Sequence, residues 1–217
     1  MSLFDGFRKK KAESIEVKQN EPVKESTALP KEKEKEEITE SEGYYFENPI
    51  ELAIYGKLYA KDKTVYWLSG NNYLVEYKKG YQLFEQGQYS RAIEAYKKCL
   101  ELNPIGLSAR FEICEAYLKM GNLSAARNTL LEMKDFLIEE KNIARFYRRM
   151  GYIEIEKSNY KTAAACYQYS QKYENHPSVV QELMYIKSKG GFGVTSGNPE
   201  KILASAGLPV LTKTSLA

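Results

Sequence analysis

The sequence predicts an all-α protein, a superhelix of about three stacked helix pairs with flanking capping helices. Two observations carry that prediction. From residue 73 to about residue 189, apolar residues recur at three- and four-residue spacing, with short breaks at Gly87-Gln88, Asn103-Pro104, Gly121-Asn122 and Ser158-Asn159. Sliding the chain on itself by 34 residues sets Gly80 on Cys114, Gly87 on Gly121, Ala92 on Ala126 and Tyr96 on Leu130, so the matches gather at small or core positions. No strand-like alternation competes within this stretch.

Residues 1–43 read as a disordered N-terminal arm. From Lys9 to about Glu42 the chain is mostly Lys, Glu, Ser, Thr and Pro, which cannot bury enough surface to offset the entropy of ordering it. Leu3, Phe4 and Phe7 precede Arg8, Lys9, Lys10 and Lys11, the reverse of a secretion signal's order. No apolar run approaches the roughly 20 residues of a membrane-spanning helix. The three cysteines, Cys99, Cys114 and Cys166, are far apart and odd in number, which suits a reducing, cytoplasmic setting. With 32 Lys and Arg against 29 Asp and Glu, spread along the chain, nucleic acid is not an expected partner.

Residues 44–72 form the expected N-terminal helical cap. Asn48, Pro49 and Glu51 have the spacing of an N-cap, a first-turn proline and a capping box, and predict a helix over residues 49–60. The apolar patch Val65, Tyr66, Trp67 and Leu68 then ends in turn residues and is expected to lie as a lid on the helices of the repeats. Residues 73–189 are the repeat domain, closed by a C-terminal capping helix that carries Val179, Val180, Leu183, Met184 and Ile186. Residues 190–217 read as a flexible C-terminal tail. It is rich in glycine, with a short helix over residues 199–205 and an apolar end around Leu208, Pro209, Val210 and Leu211.

Residues 73–106, 107–140 and 144–177 form the three copies, the last displaced by a three-residue insertion near residues 139–141. Copy one has Gly80, Ala92, Cys99 and Pro104 at positions 8, 20, 27 and 32, with Tyr89 and Tyr96 at 17 and 24. This pattern resembles the tetratricopeptide repeat family, whose unit has small residues at positions 8, 20 and 27. Copy two departs from it with Met133 at position 27, and copy three with Glu154 where an apolar residue is expected. The resemblance covers a little over half the chain. It implies units that stack into a right-handed superhelix with one concave side.

In that family the concave groove is lined from the first helix of each unit. Transferred residue by residue, the partner-binding candidates are Tyr77, Tyr81 and Phe84 in copy one, Phe111 in copy two, and Arg145, Arg148 and Tyr152 in copy three. Tyr and Arg anchor interfaces well, but the same tyrosines can equally pack between helices. Arg145 and Arg149 match the basic pair of the subgroup that holds acidic chaperone tails, whereas Tyr77, Tyr81 and Glu112 replace its Lys and two Asn. The expected partner is therefore another protein or peptide segment, acidic or aromatic, without a chaperone tail being assigned.

No catalytic or metal-binding set is legible, and no cofactor is expected. Residues 189–195 resemble a phosphate-binding loop, but Val194 stands where the essential Lys belongs. His176, the single histidine, has no second ligand nearby in sequence and reads as an exposed turn residue. The expectation is a cytoplasmic adaptor or assembly factor and not an enzyme. Alternatives are a chaperone for a secreted or assembling subunit, and a membrane-peripheral scaffold in weak contact with a bilayer surface through residues 1–11.

Overall fold

The computed structural model describes residues 41–61, 63–70 and 72–213. The apolar and basic segment 1–11 and nearly all of the arm expected over 1–43 lie outside the described residues. The chain enters through strand β1 (Ser41–Tyr44), helix α1 (Pro49–Tyr59) and strand β2 (Thr64–Trp67). Three helix pairs come next: α2 (Asn72–Glu85) with α3 (Tyr89–Leu102), α4 (Leu107–Lys119) with α5 (Leu123–Glu132), and α6 (Glu140–Glu156) with α7 (Tyr160–Ser170). Helices α8 (Pro177–Gly190) and α9 (Pro199–Ser205) complete the described chain. Each helix of the pairs packs on the next, and α7 also packs on both α8 and α9.

The helix pairs share one turn, repeated three times. In copy one the Gly87 and Gln88 amides donate to the carbonyls of Phe84 and Leu83, and the Ala92 amide donates to Gln88. Copy two repeats these bonds with Gly121, Asn122 and Ala126, and copy three with Ser158, Asn159 and Ala163. The geometry needs a left-handed residue: φ is 75° at Gly87, 71° at Gly121 and 60° at Ser158. In copy three the buried Glu154 carboxylate accepts from the Asn159 amide side chain at 2.7 Å. The acidic residue at an apolar position thus closes the turn that lacks glycine.

Within a pair, the closest approach is set by a glycine facing a tyrosine. A Cβ on Gly80 would stand 2.7 Å from the Tyr96 ring, and a Cβ on Gly151 would stand 2.7 Å from the Tyr167 ring. In copy two the equivalent positions hold Cys114 and Leu130, both buried in one cluster. A larger residue on the first helix is thus matched by a smaller one on the second, as volume conservation requires.

The segment before the repeats does not sit as a simple end cap. Tyr45 stacks on Tyr73 with ring centroids 4.5 Å apart, and the Tyr45 amide donates to the Leu102 carbonyl, which seals the start of the first pair. Helix α1 then lies beside the second and third pairs, where Ile54 and Tyr55 share a core with Leu107, Phe111, Phe136 and Leu137. The physical reason is local. Met133 and a 3-10 turn (Lys134–Phe136) close copy two just before the insertion, and the apolar side chains of Met133, Phe136 and Leu137 need a cover. Asn48 caps α1 by accepting from the Glu51 amide at 3.0 Å, while Glu51 reaches back to the Glu47 amide at 2.7 Å.

Residues 64–67, expected as part of a lid, instead pair in parallel with residues 41–44, Ser41 opposite Thr64 and Tyr44 opposite Trp67. Parallel pairing requires a crossover, which α1 supplies. Val65 packs on the core, whereas Tyr66, Trp67 and Leu68 are exposed. Residues 191–213, expected to be a flexible tail, are exposed along most of their length but are anchored at two leucines. Leu203 and Leu208 are buried in the cluster that holds Tyr147, Cys166 and Tyr169. Among the described residues no helix is long and apolar enough to cross a membrane.

Two stability measurements test this packing. Ser158→Gly should stabilise the protein by about 1 kcal/mol, because a left-handed non-glycine residue costs roughly that much, raising Tm by about 2–4 °C. Gly80→Ala should cost about 1–3 kcal/mol through overpacking. Adding Tyr96→Leu, which reproduces the small-to-large pairing of copy two, should restore most of that loss in urea unfolding.

Candidate functional site on the first helices

Helices α2, α4 and α6 bring the sequence-derived candidates towards one face, but not as an open groove. Phe84 and Phe111 are 5% and 1% exposed and belong to the core. Phe84 meets Tyr89 edge-on at 5.0 Å. Phe111 packs among residues of α1 and the turn before α6, a neighbourhood that the repeat pattern alone does not contain. Tyr77, Tyr81, Arg145 and Tyr152 are half-buried, and Arg148 is 8% exposed. The exposed part of this face is therefore narrower than the sequence implied.

Its chemistry is a ladder of ion pairs between neighbouring units. Arg145 on α6 reaches Glu112 on α4 at 3.3 Å, and one turn further Arg149 reaches Glu115 at 3.0 Å. The spacing repeats because residues three or four apart share a helix face. Arg145 also lies over the Phe111 ring at 4.2 Å from the centroid, a cation–π contact. Arg148 pairs at 2.7 Å with Glu174, in the loop that leads to α8. Glu112 and Glu115 are 9% and 7% exposed; Glu115 stands at a groove position of copy two in the repeat pattern, whereas Glu112 entered only as a departure from the acidic-tail clamp. Their signal was present as two carboxylates at i and i+3 facing two arginines at i and i+4.

The electrostatics follow from burial. Burial, then the charge of Glu112, pushes the Tyr77 phenol above its ordinary value, while Arg145 opposes the shift. Burial, then neighbouring Arg149, lowers Arg145, and the Glu112 carboxylate works against this. Tyr152 is pushed up to about 12 by burial and then by Glu156. Tyr77, Glu112 and Arg145 therefore form a cluster spanning three helices of three units, and Tyr152 lies close enough to Glu115 to feel its charge.

A second feature adjoins the ladder. A cavity of about 90 Å³ lies where α1 meets the starts of α4 and α6, with Ile54, Leu107, Phe111 and Phe136 in its lining and Ser108 and Arg145 as polar members. Glu47, also in the lining, accepts from the Tyr73 hydroxyl at 2.5 Å and from the Ser108 hydroxyl at 2.8 Å. Arg145 and Phe111 thus belong to both the cavity and the ladder.

Other candidates take structural roles. His176, expected to be an exposed turn residue, is half-buried and caps α8, its Nδ1 accepting from the Ser178 amide at 3.3 Å. Burial lowers its pKa from the ordinary value. The sequence resembling a phosphate-binding loop starts at the carboxyl end of α8, where the helix presents carbonyl oxygens and not amides. Burial pushes the Cys99 and Cys114 thiols up to about 12 and Cys166 well above its usual value, so thiolate is scarce at neutral pH. Among the described residues no three of His, Cys, Asp and Glu gather in a metal-holding group.

With this geometry in view, residues 83–136, from the end of α2 to the turn after α5, match the family model described as tetratricopeptide repeat. Residues 83–136 carry the tetratricopeptide repeat. Among similar solved structures, the first tetratricopeptide domain of Spaghetti (RPAP3), bound to the HSP90 peptide SRMEEVD, is 21% identical, covers 56% of this chain and 94% of its own, and has a TM-score of 0.49. The Arabidopsis OM64 tetratricopeptide domain is 21% identical, covers 55% of this chain and 98% of its own, and has a TM-score of 0.49. The Sgt2 tetratricopeptide domain from Aspergillus fumigatus is 17% identical, covers 68% and 91%, and has a TM-score of 0.47. No curated protein matches the sequence. In the tetratricopeptide repeats of this chain, the ladder joins the second unit to the third through α4 and α6.

Breaking one side of a buried pair leaves the other charge uncompensated, whereas replacing both by apolar groups does not. Glu115→Ala should therefore lower stability by about 3 kcal/mol, and Glu115→Leu with Arg149→Met should return it to near the starting value, as measured by denaturant unfolding.

Proposed function

We propose that the protein is a cytoplasmic interaction module, an adaptor or assembly factor, that takes an extended segment of another protein across the first-helix face of its repeats. One observation carries the reading. The Arg145 guanidinium lies over the Phe111 ring, is paired with Glu112, and is still a quarter exposed, at 26% of its side-chain area. A guanidinium has five donors and Glu112 cannot occupy them all, so a carboxylate from a partner can share the group without breaking the pair. Tyr77 on α2 completes that corner, and Tyr81 and Tyr152 extend the half-buried aromatic surface to either side.

The partner segment favoured by this surface is acidic with an aromatic or large apolar residue beside the charge. Because Glu112 and Glu115 balance the two arginines, the face does not attract anions at long range as an unpaired basic cluster would. Selectivity then comes from the short-range fit of a planar carboxylate on Arg145, and steering contributes little. Binding and not catalysis is the expected activity, since the buried thiols are protonated and each arginine of the face is engaged in a pair.

The test is an array of eight-residue acidic, basic and neutral peptides, probed with the full chain and with Tyr81→Ala/Tyr152→Ala. Acidic peptides with an aromatic residue should be preferred, with at least tenfold weaker binding by the variant and weaker binding at high salt. Equal binding by both proteins, with unchanged unfolding of the variant, would place the interaction off this face.

A further inference from the structure

The chain's own carboxyl-terminal segment occupies a cleft on α6 and α7 that is built for main-chain recognition. The Tyr147 hydroxyl donates to the Pro209 carbonyl at 2.7 Å and accepts from the Leu211 amide at 2.8 Å. The Tyr169 and Tyr173 hydroxyls both donate to the Leu211 carbonyl, at 2.7 and 2.6 Å. The tyrosine rings form an edge-to-face series, with centroids 4.7 Å apart for Tyr147 and Tyr169 and 5.7 Å for Tyr169 and Tyr173. With the segment in place Tyr147 and Tyr169 are almost fully buried.

Side chains of the segment are read at two places only. Leu208 is 4% exposed, and Leu211 packs on the same core, while Val210 is 38% exposed. Pro209 loses nothing there, because its carbonyl is used and it has no amide to satisfy; its ring also favours an extended backbone. The cleft therefore specifies leucine at the first and fourth places and accepts proline at the second, where no amide is needed.

The segment is hung so that it can leave while its anchor stays. Helix α9 is held separately by buried Leu203 and by the contact between Lys172 and Glu200. Gly207, with φ of 67°, joins α9 to the segment. Beyond it the Lys213–Glu140 pair is exposed on both sides, so it contributes little.

We propose that this cleft is a second peptide-binding site, which takes an extended partner segment of the form Leu-Pro-x-Leu and is filled by residues 208–211 until such a segment displaces them. The site lies apart from the ladder of the first-helix face and shares none of its proposed contacts, so either can fail without the other. The tethered tail competes at the effective concentration of a short linker, in the millimolar range. A partner must therefore bind more tightly than the tail or arrive when the tail is released.

The experiment uses a fluorescent peptide with the sequence of residues 206–213 and the full chain. Leu208→Asp/Leu211→Asp, which disfavours docking of the tail, should bind the peptide at least tenfold more tightly than the unaltered protein. Adding Tyr169→Phe and Tyr173→Phe should remove at least tenfold of that affinity, and a peptide with both leucines changed to serine should not bind. Equal binding, or none, by the unaltered and aspartate proteins would overturn the proposal. Should the aspartate variant fail to fold, millimolar unlabelled peptide added to the unaltered chain gives the same decision. Faster hydrogen exchange at the Leu211 amide supports displacement, and unchanged exchange at saturating peptide rejects it.

Discussion

The close approach of paired helices at Gly80 and Tyr96, and again at Gly151 and Tyr167, is the contact on which the remaining structure depends. A tyrosine ring can lie against the first helix only where no Cβ stands in its way, at 2.7 Å in both copies. That packing fixes how far apart the helices of a pair are, and so where the next first helix can dock. Copy two reaches a similar arrangement with the opposite division of volume, Cys114 against Leu130. Because neighbouring units stack on one another, an error in one pair would be passed along to the next.

The same stacking brings α6 beside α4 and creates the ladder of Arg145 with Glu112 and Arg149 with Glu115. Buried ion pairs are poor sources of net stability, since each charge loses its hydration. What they supply here is registry between units and a face whose arginines are held at set positions. The cation–π contact with Phe111 adds rigidity to the one guanidinium that remains partly exposed. Positioning of this kind suits recognition of a planar carboxylate better than a flexible lysine would.

Two additions, α1 and the carboxyl-terminal segment, cover surface that the repeats leave open. Helix α1 shields the apolar turn that follows α5, just before the insertion between copies two and three. Residues 203–211 shield α7 and Tyr147 on a different face. Both covers use buried polar contacts as well as apolar area: the Asn103 side chain donates to Glu51 at 2.7 Å in one, and three tyrosine hydroxyls bond to main chain in the other. Those bonds give each cover a single seat, because a buried polar group left without its partner is costly.

The repeat was legible from the amino-acid order alone. Helical periodicity, the 34-residue offset and small residues at positions 8 and 20 are local or regularly spaced signals, visible because packing of each pair imposes them on every copy. The cap at Asn48 was legible for the same reason, since the bond it makes spans three residues. Which candidates stay exposed, in contrast, was decided by contacts made on folding. Phe111 is buried because α1 folds over it, and Arg148 because Glu174 meets it from 26 residues away. The parallel strands, the cover formed by α1 and the tyrosine cleft around Leu211 likewise join residues far apart in sequence. No period links such residues, because each contact occurs once and is set by which exposed apolar surface happens to lie within reach.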